Sequence, residues 1–407
     1  MFLMNQINNL IYQLINIINS INFFLVILIL TLIVQFLIYF IRDRKLSRAF
    51  NSFRDPDHIS ITDLKFIPLV NIIVPAWREG KLFNDALISI KNLTYPKIKI
   101  IVNAGGNKET LDIANSFKKY DNFQILHQKG GADRPSLGKI KAVNDCLSYI
   151  TEGIIYLIDA DTYLRDEILL RMLFPIVNYN EKIVVGGVRP LRDQENINLV
   201  KYLHMDRNND FKIKFYRYSK VKAIAGTNTC FSYDVIKTIG KFSENKLYST
   251  DGSMGKDITS KGYKIYRLHH YGHRIFVDFP SSCGKYIHQK TVWTENRLNY
   301  ALSERKIGRL LKIIILDFLS FYIIISPFLI FLNFGLFFIG IGIFLNLYLK
   351  KIRKYIFFKL TLNRQYQIHF PKTLFLRLIF YIFLEAANNF FIPFHFLIYR
   401  KKFKKKK

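Results

Sequence analysis

The chain has 407 residues, a formal net charge of +30 and 50% hydrophobic residues. This length allows one large domain or two ordinary ones. Soluble basic proteins are rarely so apolar, so we expect the hydrophobic residues to lie in discrete runs. The three cysteines are far apart and odd in number. This excludes a disulfide framework or a zinc site built on paired cysteines, and favours a reducing compartment.

The first hydrophobic run predicts a membrane anchor over residues 1–48. Phe23–Ile41 comprises 19 residues without a charge, about the length that crosses a bilayer core. No basic residue precedes Arg42, whereas a cleavable signal peptide needs basic residues at its start. The basic segment Arg42–Arg48 follows the run. By the positive-inside rule, the chain after Arg42 is expected in the cytoplasm.

The second hydrophobic run lies in a C-terminal membrane region, residues 309–407. Phe318–Leu349 holds 32 uncharged residues, which is too long for one crossing. Together with the apolar segment upstream, it fits a helical hairpin that turns near Asn333–Gly335. The basic cluster Lys350–Lys354 then marks the return of the chain to the cytoplasm.

A third block, Thr373–Tyr399, is apolar but carries Arg377, Glu385 and two asparagines. Charges at the centre of a crossing cost roughly 2.5–3.5 kcal/mol each on insertion scales. We therefore predict a re-entrant or interfacial pair of helices, with a plain third crossing as the alternative. The basic clusters of the chain flank these membrane segments, where they face anionic lipid. This excludes a nucleic-acid partner, which would need a basic face on a soluble domain.

Between about residues 57 and 308 the sequence predicts a soluble α/β domain. Apolar strands are expected at Val70–Pro75, Lys97–Asn103, Phe123–His127 and Gly153–Asp159, and helical patterns of 10–15 residues alternate with them. This alternation indicates a mostly parallel sheet with helices on both faces. Ligands of such sheets bind beyond the carboxyl ends of the strands.

Two carboxylates stand at the end of the fourth predicted strand, in the sequence Asp159-Ala160-Asp161. Oxygen ligands on one turn suit Mg²⁺ or Mn²⁺, which take the rest of their shell from water and substrate phosphates. The alternative for Asp161 is a helix N-cap. Lys139 follows a glycine at a helix start, where a phosphate would be favoured. Its alternative is an ordinary exposed helix lysine.

Seven segments in order resemble the family-2 inverting glycosyltransferases, in the membrane-bound branch of cellulose, hyaluronan and chitin-oligosaccharide synthases. They are NIIVPAWREGKLFNDALISI, YPKIKIIVNAGG, GKIKAVN, IYLIDADT, GTNTCFSYDVIKTIGKFS, STDGSMGKDITSKGYKI and YIHQKTVW. The resemblance covers about Val70 to Trp293. It implies a GT-A type nucleotide-sugar-binding domain between N-terminal and C-terminal transmembrane helices, with Mg²⁺ or Mn²⁺ as cofactor.

The resemblance also assigns roles to individual residues. It implies donor binding by Pro75, Ala76, Trp77, Glu79, Asn103, Gly105, Lys139, Asn144 and Asp159. It implies metal binding by Asp159 and Asp161, catalysis by Asp251 as general base, and acceptor binding by Gln289 and Trp293. From the residues alone, the alternative for Asp251 is a helix N-cap, and the alternative for Trp293 is a membrane-interface residue.

Three positions depart from the family pattern. Asn103 replaces the acidic residue expected after the second strand, which leaves the base of the nucleotide open. Thr250 replaces a glutamate beside the catalytic aspartate. Val292 replaces an arginine that helps to bind the diphosphate, with Lys290 and Arg297 as candidate substitutes. This last change weakens the expectation of processive polymerisation.

The sequence thus predicts a multi-pass cell-membrane glycosyltransferase whose catalytic domain is cytoplasmic. It would transfer a sugar from a nucleotide-sugar, by resemblance a UDP-sugar, to a cell-surface glycan or glycolipid acceptor. The alternatives are a polyprenyl-phosphate sugar synthase and an inactive membrane scaffold of the same fold. The sugar, the acceptor, the linkage and the oligomeric state stay open.

Overall fold

The computed structural model describes residues 2–52, 56, 58–128, 138–191, 200–201, 218, 224–244, 250–268, 273–303, 305–366 and 373–404. The chain forms two compact units. One consists of residues 48–283 with 365–369, and the other of residues 1–47, 284–364 and 370–407. We call them the α/β unit and the helical unit.

The α/β unit alternates strands and helices. Its strands are β1 (Val70–Trp77), β2 (Ile98–Gly105), β3 (Phe123–His127), β4 (Ile154–Ile158), β5 (Thr162–Tyr163), β6 (Ile183–Val185), β7 (Val188–Pro190), β8 (Asn228–Ser232), β9 (Tyr266–Arg267) and β10 (Ile275–Val277). Its helices are α2 (Lys81–Lys91), α3 (Lys108–Ser116), α4 (Lys139–Leu147), α5 (Asp166–Tyr179), α6 (Tyr233–Ile239) and α7 (Thr250–Ser260).

Seven strands form the main sheet in the order β3-β2-β1-β4-β8-β6-β9. β1 pairs in parallel with both β2 and β4, while β8 runs antiparallel to its two neighbours. All five residues of β4 are buried, as expected for a strand covered on both faces. The mainly parallel sheet of the sequence prediction is therefore confirmed.

The order of the strands reverses at β1, because β2 lies on one side of it and β4 on the other. Such a switch point opens a crevice at the carboxyl ends of the strands. A second, three-stranded sheet in the order β5-β10-β7 begins directly after β4. The residues between β4 and β5 therefore connect the two sheets at this crevice.

The helical unit contains five long helices, α1 (Phe2–Ser52), α8 (Cys283–Ser303), α9 (Ile307–Ile325), α10 (Phe334–Tyr366) and α11 (Leu374–Lys404). Among the described residues, three helical segments are long and apolar enough to cross a membrane, at Gln6–Lys45, Ile307–Phe331 and Phe334–Arg353. The break between α9 and α10 falls where the sequence predicts a turn. Asn333 lies at this break and accepts a hydrogen bond from the Leu336 N–H at 3.1 Å.

α1 is one continuous helix of 51 residues, longer than the single span predicted at its centre. It runs parallel to α10 over its second half. The ring of Phe24 stacks on Phe338 with centroids 6.2 Å apart, and Asp43 pairs with Arg353 at 3.2 Å. The contacts between α1 and α10 therefore begin close to Phe23, the predicted start of the span. The two basic clusters, Arg42–Arg48 and Lys350–Lys354, lie at the same end of the paired helices.

The third hydrophobic block differs from its prediction. A single helix of 31 residues, α11, replaces the expected pair of short helices. Its central charge, Glu385, is paired with two lysines of the same unit, and this removes much of the cost that argued against one helix. α8 also belongs to the helical unit, whereas the sequence placed residues up to 308 in the soluble domain.

Candidate functional site

The candidate site lies at the carboxyl ends of β1 and β4. Glu79 follows β1, and Asp159 and Asp161 follow β4. Since β1 and β4 are parallel neighbours, their ends meet at the same edge of the sheet. The sequence therefore positions these three carboxylates by strand pairing, without any further long-range contact.

Asp159 is held by two hydrogen bonds from outside its own strand. Its Oδ1 pairs with the Lys139 ammonium group, and its Oδ2 accepts from the Thr227 hydroxyl at 2.8 Å. Burial lowers the pKa of Lys139, but Asp159, Asp251 and Asp161 together raise it above its usual value. Lys139 is therefore a fixed cation of the site, not an ordinary exposed helix lysine.

The loop before β8 connects Lys139 to a fourth acidic group, Asp251 of α7. Lys139 Nζ donates to the Gly226 carbonyl at 3.3 Å, and the Gly226 N–H donates to the Asp251 carboxylate. Thr250 Oγ1 lies 3.4 Å from Asp251 Oδ1, so the departure from the family's glutamate leaves a hydroxyl donor beside the carboxylate. Asp251 lies in the first turn of α7 and its side chain faces this loop.

Gly226 packs closely against both Asp251 and Lys139. A Cβ atom at this position would lie 2.3 Å from Asp251 Oδ1 and 2.9 Å from Lys139 Nζ. Real Cβ contacts are longer than either distance, so a larger residue must displace both side chains. The glycine therefore sets the spacing between the candidate base and the candidate phosphate ligand.

Replacing Gly226 with alanine is expected to reduce sugar transfer by about 100-fold, since a misplacement of about 1 Å costs that order of rate. The check is the initial rate of label transfer from a nucleotide-sugar in membranes. Gly308→Ala is the control, because nothing lies within 4 Å of a Cβ there. Equal rates for both variants would contradict the close packing around Gly226.

Burial and repulsion between carboxylates act together on the other side of the site. Burial, Asp161 and Asp159 raise the pKa of Glu79 to about 7. Burial and Asp159 raise the pKa of Asp161 to about 6, with Asp278 adding to the shift. Val277 pairs with Thr162 across β10 and β5, so Asp278 stands beside Asp161. Since α5 begins only at Asp166, Asp161 is not a helix cap.

These carboxylates fit a divalent cation, because its charge would relieve the repulsion that raises their pKa values. No group of three or more His, Cys, Asp or Glu side chains within the described ranges has a metal-holding arrangement. A cation would then have few protein ligands and complete its shell with water and phosphate oxygens. This is the usual coordination of Mg²⁺ beside a nucleotide.

Cation binding is expected to strengthen as the pH rises from about 5 to about 8, the range that brackets the two raised pKa values. Below pH 6, Glu79 and Asp161 hold protons in the metal-free protein, and a cation must displace them; above pH 7 both are ionised. Calorimetric titration with Mn²⁺ in buffers of different ionisation enthalpy counts the released protons. An affinity that is independent of pH over this range would contradict the assignment.

Trp77 and two glycines form the edge of the crevice next to β2. A Cβ atom at Gly105 would lie 3.0 Å from the Trp77 indole, and one at Gly106 would lie 2.9 Å from it. Gly106 also has a φ of +95°, which favours glycine. The indole therefore packs against the end of β2, and Pro75 and Ala76 precede it in β1.

Asn103 and Gln128 place two buried amide groups behind this edge. The Asn103 amide donates to the Ala142 carbonyl at 3.1 Å, and the Gln128 amide donates to the Ala76 and Asn103 carbonyls. Because carbonyls must face the amide nitrogens, the atoms left without a partner are Asn103 Oδ1 and Gln128 Oε1. A water or ligand N–H would satisfy each oxygen.

Asn144 supports the site from a distance. Its amide donates to the Phe242 carbonyl at 2.8 Å and accepts from the Phe242 N–H at 3.0 Å. Asp257 holds the next residue, Ser243, at 2.7 Å. Both residues therefore fix the loop that leads to Asp251, and the side chain of Asn144 has no direct contact with Lys139 or Asp159 among the hydrogen bonds of the described residues.

Gln289 and Trp293, the predicted acceptor residues, both lie on α8 in the helical unit. Lys290, between them, is fully buried and pairs with Glu385 at 3.3 Å. It is therefore engaged within the helical unit. Val292 is exposed, and the side chain of Arg297 lies outside the described residues.

Sequence reasoning missed four residues of the site: Gly226, Thr227, Asp278 and Gln128. Gly226 and Thr227 begin the GTNTCF segment that was matched to the family, but no role was attached to them. Asp278 had no local signal, because only the pairing of β10 with β5 brings it to Asp161. Gln128 follows β3 directly, and this position at a strand end was its only signal.

Comparison with known proteins gives one family match, to Glycosyl transferase family 2 over residues 71–240. The probable glycosyltransferase YdaM of Bacillus subtilis is 26% identical over 216 residues, which are 50% of this chain and 49% of that protein. Glycosyltransferase AglE of Haloferax volcanii is 24% identical over 207 residues, 50% of this chain and 65% of that protein. The chain thus matches half to two thirds of the length of these relatives.

A solved structure matches over most of the chain. It is the mannosyltransferase PcManGT from Pyrobaculum calidifontis in complex with GDP-Man and Mn²⁺, with a TM-score of 0.50 and 14% identity. The match covers 91% of this chain and 97% of that one. At this identity the likeness shows the fold, an α/β fold of the GT-A type. Residues 71–240 of the chain therefore match a glycosyl transferase family 2 domain.

Proposed function

We propose that the protein is a membrane-bound inverting glycosyltransferase that uses a nucleotide-sugar donor. One observation carries the proposal: Asp159, Lys139 and Asp251 meet around Gly226 at the switch point of the sheet. A cation, a phosphate-binding lysine and a base are the three groups that transfer from a nucleotide diphosphate requires. The family match supports the same reaction class.

The proposed roles follow from the charge and reach of each side chain. Lys139 carries the fixed positive charge next to the phosphates of the donor, and Thr227 keeps the Asp159 carboxylate in one orientation. Asp251 accepts the proton of the acceptor hydroxyl as that oxygen attacks the anomeric carbon. One displacement assisted by one base inverts that carbon.

Asp251 is suited to this role because its pKa is raised. Its partial burial raises the pKa, and the charge of Lys139 opposes the shift. A carboxylate with a raised pKa is a stronger base than an ordinary aspartate. A proton taken by Asp251 is then released to solvent after the product leaves.

Asp159 and Asp161 are the proposed ligands of the divalent cation, with Glu79 and Asp278 as neighbouring charges. When bound, the cation would neutralise the charge that develops on the leaving diphosphate. Trp77, Gly105 and Asn103 are proposed to contact the nucleoside of the donor, and Pro75 and Ala76 to shape that edge. Gln289 and Trp293 are proposed to bind the acceptor.

The proposed location is the cell membrane with the catalytic domain in the cytoplasm. Arg353, in the cluster Lys350–Lys354, pairs with Asp43 in the cluster Arg42–Arg48. Both basic clusters therefore lie at the same end of the paired helices, which supports one cytoplasmic face by the positive-inside rule. A cysteine at Glu109 should resist an impermeant maleimide in intact cells, and rapid labelling would reverse the orientation.

The test of the function is a panel of radiolabelled UDP- and GDP-sugars incubated with the membrane fraction, with and without EDTA. We expect one donor to transfer label in a cation-dependent manner. Label in polymer or glycolipid identifies a glycan acceptor, whereas label in an acid-labile lipid identifies a polyprenyl phosphate. No transfer from any donor, together with no nucleotide binding by the purified protein, would support the scaffold reading instead.

A further inference from the structure

Three helices of the helical unit converge on one carboxylate, Glu385 of α11. Lys290 of α8 lies 3.3 Å from its Oε1, and Lys351 of α10 lies 3.3 Å from its Oε2. The side chain of Lys290 is 0% exposed and that of Lys351 11% exposed, while Glu385 is 27% exposed. The two lysines therefore share one counter-charge away from bulk water.

Two tyrosines extend the contact between α8 and α11. The hydroxyls of Tyr286 and Tyr381 lie 3.3 Å apart, and Tyr286 is 2% and Tyr381 1% exposed. The Lys351 ammonium lies 4.7 Å from the centroid of the Tyr381 ring. Tyr286 and Tyr381 each precede a member of the ion pair by four residues, so the tyrosines form the next layer along the same two helices.

Glu385 differs from the carboxylate of a surface ion pair, because the ammonium groups that it neutralises are largely buried. An ammonium group that is withdrawn from water is strongly unfavourable without a counter-charge. Glu385 neutralises both Lys290 and Lys351. Removal of its charge would weaken the hold on Lys290, and α8 could then rotate or shift.

The position of Lys290 connects this contact to the predicted acceptor residues. Gln289 precedes it directly, and Trp293 follows it by three residues on the same helix. A rotation of α8 about its axis would therefore carry both residues with it. The contact with Glu385 fixes that rotation, and the contact between the tyrosines fixes the position of α8 along α11.

We propose that Glu385 is a positioning residue that holds α8 in the register at which Gln289 and Trp293 meet the acceptor. The proposal rests on the acceptor role given to α8 in the proposed function. In this proposal the charge of Lys290 serves helix packing. The resemblance places an arginine that binds the diphosphate close to this position.

The first measurement reads the helix register without activity. Spin labels on His288→Cys and Leu376→Cys, both exposed sites in a cysteine-free background, report the distance between α8 and α11. We expect one narrow distance distribution in the parent protein and a shifted or broadened one in Glu385→Gln. An unchanged distribution in Glu385→Gln would overturn the proposal, whether or not the protein transfers sugar.

The second measurement separates transfer from donor binding. Glu385→Gln is expected to lower transfer by about 100-fold, the order of loss for a misplacement of about 1 Å, with unchanged nucleotide affinity. Glu385→Asp should recover part of the rate, because it restores the charge. Arg377→Gln, an exposed charge on the same helix, is the control and should keep the parent rate.

Lys290→Met tests the same contact from its other side and keeps the pair of Glu385 with Lys351. It should lower transfer, and the double variant Lys290→Met/Glu385→Gln should lose no more than Glu385→Gln alone if both act through one contact. Additive losses, or a parent-like rate in Lys290→Met, would overturn the proposal. The Lys290→Met variant also tests the proposal if Glu385→Gln fails to fold.

Discussion

Asp251→Asn is expected to lower the rate of sugar transfer by at least 10²-fold, within the roughly 10²–10⁴-fold range of general-base assistance. Asparagine has nearly the same shape, so it can still accept the N–H of Gly226 and leave α7 in place. It cannot take up the acceptor proton at neutral pH. Nucleotide affinity, measured by calorimetry in the same detergent, should therefore stay close to that of the parent protein.

The control for this variant must be an aspartate with no part in the site. Asp257, on the same helix, is unsuitable because its carboxylate holds Ser243 through two hydrogen bonds. Asp112 is exposed on α3, and Asp112→Asn should keep the full rate. If Asp251→Asn retained more than about a tenth of the parent rate, well above the range for a lost general base, the base would lie elsewhere.

Asp161→Ala is expected to abolish both cation-dependent nucleotide binding and transfer. It removes one of the two proposed ligands and also the charge that contributes to the raised pKa of Glu79. We expect a loss of at least 10²-fold in rate, the order seen when one electrostatic group is removed from a transition state. Isothermal titration with the donor nucleotide, with Mn²⁺ and with EDTA, gives the binding arm.

Asp166→Asn is the matched control for Asp161→Ala. Asp166 lies five residues further on and accepts hydrogen bonds from the Thr94 N–H and hydroxyl at 2.9 and 3.0 Å. Its replacement should cost on the order of 1 kcal/mol of stability and leave cation dependence intact. If Asp161→Ala behaved like this control, losing stability but not cation dependence, that result would falsify the metal assignment.

Local pattern was sufficient for the strands and for the residues that follow them directly. Val70–Pro75 and Gly153–Asp159 were predicted within two residues of β1 and β4, because short apolar runs between turns have few alternatives in an α/β protein. The same pattern placed Asp159 and Asp161 at a strand end, whereas Glu79 was assigned by the resemblance. The helix break at Asn333 was equally local, since it followed from the length of an uncharged run.

Pattern failed where polar side chains in an apolar segment could be satisfied by distant partners. The charges of α11 argued for a broken helix, yet Glu385 finds its partners on α8 and α10, about 95 and 34 residues earlier in the chain. Asn144 was predicted to bind the donor because of the resemblance. That role stays a prediction; its amide also holds the backbone of Phe242, 98 residues further on, a contact that no local pattern indicates.

The sequence by itself determined the fold class of the α/β unit, the two basic clusters beside the paired helices, and the pair Asp159 and Asp161 at a strand end. Only the tertiary structure decided that Lys139, Gly226 and Asp251 meet, that Asp278 stands beside Asp161, and that Glu385 neutralises Lys290. The physical reason is the separation along the chain of the residues that interact. Hydrophobic periodicity and strand ends depend on neighbouring residues, whereas the partner of a buried charge is chosen by the packing of elements far apart in the chain.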